Sequence, residues 1–240
     1  PDAVLLAHNL FSHRGSFAEV AARLARRARV LNVDLRGHGD SRDAGEFTVA
    51  DLAGDLAAVL AEAGADAAVI VGTSLGAAAA IELARARPAL VRGLVLMAAN
   101  PRPATFRDRL TFGTLAAIVR ALNPGPLLPT LVAALHSTAA APAIRAAAAE
   151  QIRAMNRRDV VRAVRAWVNR PALLGRLGPL SIPARVVAGG ADSSCPRAAC
   201  DALAAELGVA SIEIASAGHT IQAERPAEVA ALVEGLLAGP

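Results

Sequence analysis

Ser74 stands in Gly72-Thr73-Ser74-Leu75-Gly76, between the apolar run Ala67-Ala68-Val69-Ile70-Val71 and a small-residue helical stretch from Ala77 to Ala86. Strand, G-x-S-x-G and helix together form the context in which a serine becomes a nucleophile. The turn is tight enough to strain the serine, and the flanking glycines let neighbouring backbone pass without a Cβ clash. The hydroxyl is thereby lifted above the carboxyl edge of a sheet, beside the positive end of the next helix.

A serine hydroxyl needs a base to take its proton and a third group to orient that base. Of the five histidines, only His219 follows the last strand-like run, in Ala217-Gly218-His219 before a helical segment. Asp192 closes the Gly-rich turn Gly189-Gly190-Ala191-Asp192 after another strand-like run. The order Ser74, Asp192, His219 is the one expected of a serine in a strand-to-helix elbow. Asp192 could instead only cap the following helix through Ser193 and Ser194. Backbone amides of Leu75, next to the nucleophile, and of Leu10, in the loop Ala7-His8-Asn9-Leu10-Phe11, are the candidate oxyanion donors. His8 and Asn9 then shape that loop, His38 holds its own loop by hydrogen bonds, and His13 is either near the site mouth or solvated.

Competing chemistries lack their residues. With no lysine in the chain, a P-loop is excluded, and Arg36-Gly37-His38-Gly39-Asp40 lacks the third glycine of a dinucleotide fingerprint. No histidine pair has metal-ligand spacing, so neither metal nor cofactor is expected. The 25 basic residues are nearly balanced by 21 acidic ones, and the absence of Tyr with a single Trp argues against a nucleic-acid partner. Cys195 and Cys200 are five apart and are expected to pack rather than to pair or bind metal. No run is long enough for a membrane span and no signal segment is visible, which points softly to the cytoplasm.

Six strand-like runs must position these residues: Ala3–Ala7, Val30–Val33, Ala67–Val71, Gly93–Ala98, Ala184–Ala188 and Ser211–Ala215. Helical patterns alternate with them at about 16–28, 48–63, 75–86, 196–207 and 225–237, Thr48 with Asp51 suggesting a capping box and Pro226 suiting a first turn. Apolar strands separated by helices predict an α/β fold, a doubly wound and mostly parallel sheet with helices on both faces. The 240 residues suffice for one such domain. Residues 1–100 and 180–240 read as its core, and 101–179, strand-free and punctuated by Pro124, Pro126, Pro129 and Pro142, as a helical cap over the sheet edge or a subdomain of packing value only. Phe106, Leu128 and Trp167, with Leu127 and Leu131, are expected to line an apolar pocket there. The other possibility is that Arg102, Arg107 or Arg109 turns inward to select a carboxylate.

Val4-Leu5-Leu6-Ala7-His8-Asn9, Asp34 to Ser41, Gly72 to Gly76, Gly189 to Asp192, and Gly218-His219 with Glu224 and Pro226 occur in one order along nearly the whole chain. In this the sequence resembles the α/β-hydrolase superfamily, and within it small capped esterases and 3-oxoadipate enol-lactonase-like hydrolases. The resemblance implies a cap inserted after the family's sixth-strand position and a cofactor-free serine hydrolase acting on a small-molecule ester or lactone. Carbon–carbon hydrolase, acyltransferase and a hydrolase-fold binding protein without turnover are the alternatives, and the oligomeric state is open. The sequence departs from the family pattern at Asn9, which replaces a common glycine, and at Ala77, where a further glycine is usual. The family usually has two more strands before the first one here, so the chain is expected to be trimmed or incomplete at Pro1.

Overall fold

The computed structural model describes residues 2–42, 45–121, 125–175 and 182–238. Pro124 and the cap boundary at Pro179 lie outside them. Six parallel strands, β1 (Ala3–Ala7), β2 (Arg29–Val33), β3 (Ala68–Thr73), β4 (Val91–Met97), β5 (Ala184–Gly189) and β6 (Ser211–Ile214), form one sheet in the order β2-β1-β3-β4-β5-β6. β1 and β3 are buried throughout, as their unbroken apolar sequences require.

From β1 the chain first winds outward to β2, then returns across β1 to β3 and runs the other way to β6. Right-handed crossovers therefore put α1 (Ala18–Leu24) on one face, and α2 (Val49–Glu62), α3 (Leu75–Ala86) and α8 (Arg197–Glu206) on the other. α10 (Pro226–Leu237) packs beside α1, and α2 packs on α3. The reversal leaves a crevice between the carboxyl ends of β1 and β3, where open α/β sheets bind ligands. Ser74 and the Leu10 loop emerge on its two sides.

Local chemistry sets the boundaries. Thr48 and Asp51 form the expected capping box on α2, and Thr105 and Asp108 repeat the same exchange before α4 (Phe106–Ala121). α1 is shorter than the pattern at 16–28 suggested: a 3₁₀ turn at Arg14–Phe17 precedes it, and the amides of Arg27 and Ala28 both close on the Leu24 carbonyl. Between β4 and β5 the described residues hold α4, α5 (Leu128–Leu135), α6 (Pro142–Ala154) and α7 (Arg157–Val168), with no strand. This excursion follows the chain's fourth strand, the sixth when the family's two additional strands are counted.

Cys195 and Cys200 are expected to pack rather than to pair, and their sulfurs lie 3.9 Å apart without a disulfide between them. Cys195 precedes α8 and Cys200 lies in its first turn, so the helix start folds one back toward the other. Both are free and buried. No helix among the described residues is long and apolar enough to cross a membrane.

Candidate active site

Ser74 occupies the position that would cap α3, but its side chain makes no capping hydrogen bond. The cause is its backbone: φ 53° and ψ −106° swing the hydroxyl away from the helix amides. The elbow holds this conformation because the Ser74 amide donates to the Met97 carbonyl of β4. It also needs its two glycines. A Cβ on Gly72 would come within 2.5 Å of the Gly76 carbonyl oxygen, and one on Gly76 would overlap the Ala7 carbonyl at the end of β1.

Among the described residues, three non-glycines have positive φ: Phe11, Ser74 and Ala98. All three line a single cavity of about 340 Å³ above the crevice between β1 and β3. Strain is thus concentrated where the loops after β1, β3 and β4 converge. Leu10 and His219 line the same cavity.

Asp192 and His219 meet directly, His219 Nδ1 lying 2.8 Å from Asp192 Oδ2. The other carboxylate oxygen, Oδ1, accepts the amides of Ser194 at 2.7 Å and Cys195 at 3.0 Å. Asp192 therefore caps the turn with one oxygen and hydrogen-bonds His219 with the other. The Asp192 side chain is 1% exposed, and the bond leaves Nε2 as the free ring nitrogen of His219. No hydrogen bond joins Ser74 to His219 among the described residues, and such bonds commonly tighten only around substrate.

The Leu10 loop is tied to the elbow through a buried amide network. Thr73 Oγ1 donates to Gln222 Oε1 at 2.9 Å, Gln222 Nε2 donates to Asn9 Oδ1 at 3.1 Å, and Asn9 Nδ2 donates to the Leu10 carbonyl at 3.0 Å. Asn9, the departure from glycine, holds the Leu10 carbonyl here. His8 closes the other side: its Nε2 accepts the Leu35 amide and its Nδ1 meets the Asn9 carbonyl. Burial and neighbouring His38 hold His8 well below the ordinary imidazole range, and burial brings His38 to about 4. His38 meets the Arg36 carbonyl and packs edge-on against His8, so both are neutral loop-holders at physiological pH. His13 accepts the Gly15 amide and lines a separate cleft. No three potential metal-ligating side chains converge among the described residues.

A model described as "Alpha/beta hydrolase family" matches residues 4–232. The chain belongs to the alpha/beta hydrolase family. It is 35% identical over 101 residues to an sn-1-specific diacylglycerol lipase of Mus musculus, covering 41% of this chain and 33% of that protein. It is 41% identical over 100 residues to a pimeloyl-[acyl-carrier protein] methyl ester esterase of Xanthomonas campestris pv. campestris, covering 42% and 38%. The matches thus span little more than a third of these curated relatives. A thermophilic esterase from Thermogutta terrifontis, solved with malate bound, superposes with a TM-score of 0.92 at 26% identity over 99% of this chain and 90% of that one. An enol-lactonase from Burkholderia xenovorans LB400 shares the fold, with a TM-score of 0.90 at 21% identity over 99% and 91%.

In this hydrolase-family chain the cavity wall opposite Ser74 comes from α4, α5 and α7. Trp167, Leu127 and Leu131 line it. Phe106 does not: it is 83% exposed. The helical period explains the correction, since Asp108, Thr111, Phe112 and Leu115 share the cavity face of α4 while Phe106 and Leu110 fall on the opposite one. Leu128 is buried but also lies off the cavity, which α5 faces with Thr130, Leu131, Ala134 and Leu135. Arg102, Arg107 and Arg109 are exposed and absent from the wall, Arg109 bonding Asn169 at 2.8 Å. Sequence reasoning missed Arg170 and Gln222, which belong to no motif, and gave Thr73 no role beyond its place in the elbow motif.

Proposed function

We propose that this chain is a cofactor-free serine hydrolase that cleaves a carboxylic ester, lactone or related acyl bond. The observation carrying the reading is the Asp192–His219 hydrogen bond beside a strained Ser74 that opens on the same cavity. Ser74 Oγ attacks the acyl carbon as His219 Nε2 takes its proton. The Asp192 carboxylate holds the imidazole in the required tautomer and stabilises the imidazolium that forms. The Leu75 amide, at the start of α3, and the Leu10 amide, in the peptide whose Asn9 carbonyl meets His8 Nδ1, receive the oxyanion. His219 then returns the proton to the leaving alcohol, giving an acyl-enzyme. Water repeats the sequence with His219 as base, releasing the acid and restoring Ser74.

Residues 101–179 serve in this reading as a cap over a core of 1–100 and 180–240, supplying the apolar wall that holds a compact substrate against Ser74. Its esterase and lactonase relatives favour ester and lactone substrates over carbon–carbon cleavage or acyl transfer. A fluorophosphonate probe and a panel of short acyl esters and lactones test the proposal together. Stoichiometric labelling of Ser74 with turnover of at least one panel member is expected. A folded protein that takes no label would be a hydrolase-fold binding protein instead.

A further inference from the structure

Arg170 lies just beyond α7 and lines the catalytic cavity, yet only 4% of the residue is exposed. Its Nη1 donates to the Trp167 carbonyl and its Nη2 to the Arg102 carbonyl, both at 2.7 Å, while Nε has no partner. Its guanidinium carbon stands 3.6 Å from the centre of the Trp167 ring. None of these contacts carries a negative charge, and Arg170 makes no ion pair among the described residues. A guanidinium has five N–H donors, so three remain. Burying a cation that makes no ion pair is costly, and the nearby Asp108 carboxylate and stacking on an indole offset only part of that cost. Two carbonyls could be held equally well by a neutral donor, so the hydrogen bonds of Arg170 do not themselves call for the charge.

We infer that Arg170 receives a carboxylate of the substrate, which makes the cavity selective for esters or lactones that bear a free acid group away from the scissile bond. The other acidic and basic side chains on the wall are Asp108 and His219. Asp108 is engaged by the amide and hydroxyl of Thr105, both at 2.8 Å. Its presence favours a monoanionic, planar group over a phosphate dianion, which would meet one cation and one like charge. Carboxylate geometry also matches the guanidinium fork. Burial lowers Arg170 to about 10, which leaves it charged at neutral pH. The rest of the wall is mostly apolar, including Phe112, Leu115 and Leu131, and suits a hydrocarbon spacer.

The inference rests on the serine-hydrolase reading for the chemistry at Ser74, but its test separates the two. Monomethyl esters of C4 to C8 dicarboxylic acids and the matching dimethyl esters are titrated into Ser74→Ala protein by calorimetry. The best half-ester is expected to bind about 10- to 100-fold more tightly than its diester, the range for hydrogen bonds to a charged group. In Ser74→Ala/Arg170→Gln that ratio should fall to about one. Equal binding of half-ester and diester, or a preference that survives Arg170→Gln, overturns the inference. Should Arg170→Gln not fold, Asp108→Asn, which keeps an acceptor for Thr105, is read in its place. It should raise the half-ester preference by relieving repulsion, and an unchanged or reduced preference counts against the inference. Wild-type protein that hydrolyses none of these esters while Ser74→Ala keeps the binding preference would sink the hydrolase reading and leave the anion site standing.

Discussion

Ser74 gives up helix capping to stand free in the cavity, and its function is tested by removing only the hydroxyl. Ser74→Ala should fold, because the elbow accommodates a Cβ already, while kcat falls on the order of 10⁴-fold or more. Retention of more than about a tenth of the activity, in protein free of host esterase, would take the nucleophile role from Ser74, since losing a nucleophile costs far more than that. Gly76 makes the complementary case. Its Cβ would overlap the Ala7 carbonyl, part of backbone that cannot swing aside. Gly76→Ala is therefore expected to destabilise the fold by about 1–3 kcal/mol or more and to displace β1 from the elbow. Its neighbour Ala77, where the family often has glycine, is fully buried with its methyl accommodated. A denaturant midpoint for Gly76→Ala equal to wild type would show that the close approach is not needed.

At the scale of elements, α5 is fastened to both loops that carry Asp192 and His219. Ser194 Oγ donates to the Ala134 carbonyl at 2.7 Å, and the Thr220 amide donates to the Leu135 carbonyl at 2.9 Å. Glu224, in α9 (Ile221–Glu224), completes the junction by accepting the Ser137 amide and hydroxyl, at 3.0 and 2.5 Å, and the Gly218 amide at 3.2 Å. His136 Nδ1 stands 3.4 Å away, short of hydrogen-bond geometry. Burial pushes the Glu224 carboxyl up, but neighbouring His136, then Ser137 and Gly218, outweigh it and hold it below its ordinary value of 4.5. A depressed carboxyl stabilises the fold above its unfolded pKa and loses that contribution as pH falls through the folded value. Glu224→Gln should thus cost about 2–4 kcal/mol at pH 7, with the deficit narrowing below about pH 4.5. Urea midpoints measured from pH 7 to pH 3.5 check it, and a deficit independent of pH would refute the carboxylate's part. The sequence made the elbow, Asp192 and His219 legible because each ends a strand-like run in a distinctive turn. It left Arg170 and Gln222 illegible, since their importance comes from contacts with residues distant in the chain, such as Arg102 and Asn9. Phe106 was misread for a related reason: composition marks a helix as apolar, while the face it buries depends on where its first turn begins.

On the scale of the whole molecule, the parallel sheet and the strand-free excursion follow from alternating apolar patterns, but the strand order and the attachment of that excursion do not. It is held by polar contacts between α5 and the loops after β5 and β6, together with Leu173 N donating to the Pro101 carbonyl where the excursion begins. These bonds make the helices between β4 and β5 part of the same cooperative structure as the sheet. Trp167 is the single tryptophan of the chain and lies on the excursion, so its fluorescence reports that part alone, whereas far-UV circular dichroism reports the entire fold. The two signals should lose native structure at the same urea concentration, as expected when one transition unfolds both parts. Glu224→Gln, which weakens the junction without touching Trp167, should draw the fluorescence transition to lower urea than the dichroism. An earlier fluorescence transition already in the wild type would mean that the excursion unfolds on its own. Its contacts with the His219 loop would then be too weak to hold a cavity wall in register with Ser74.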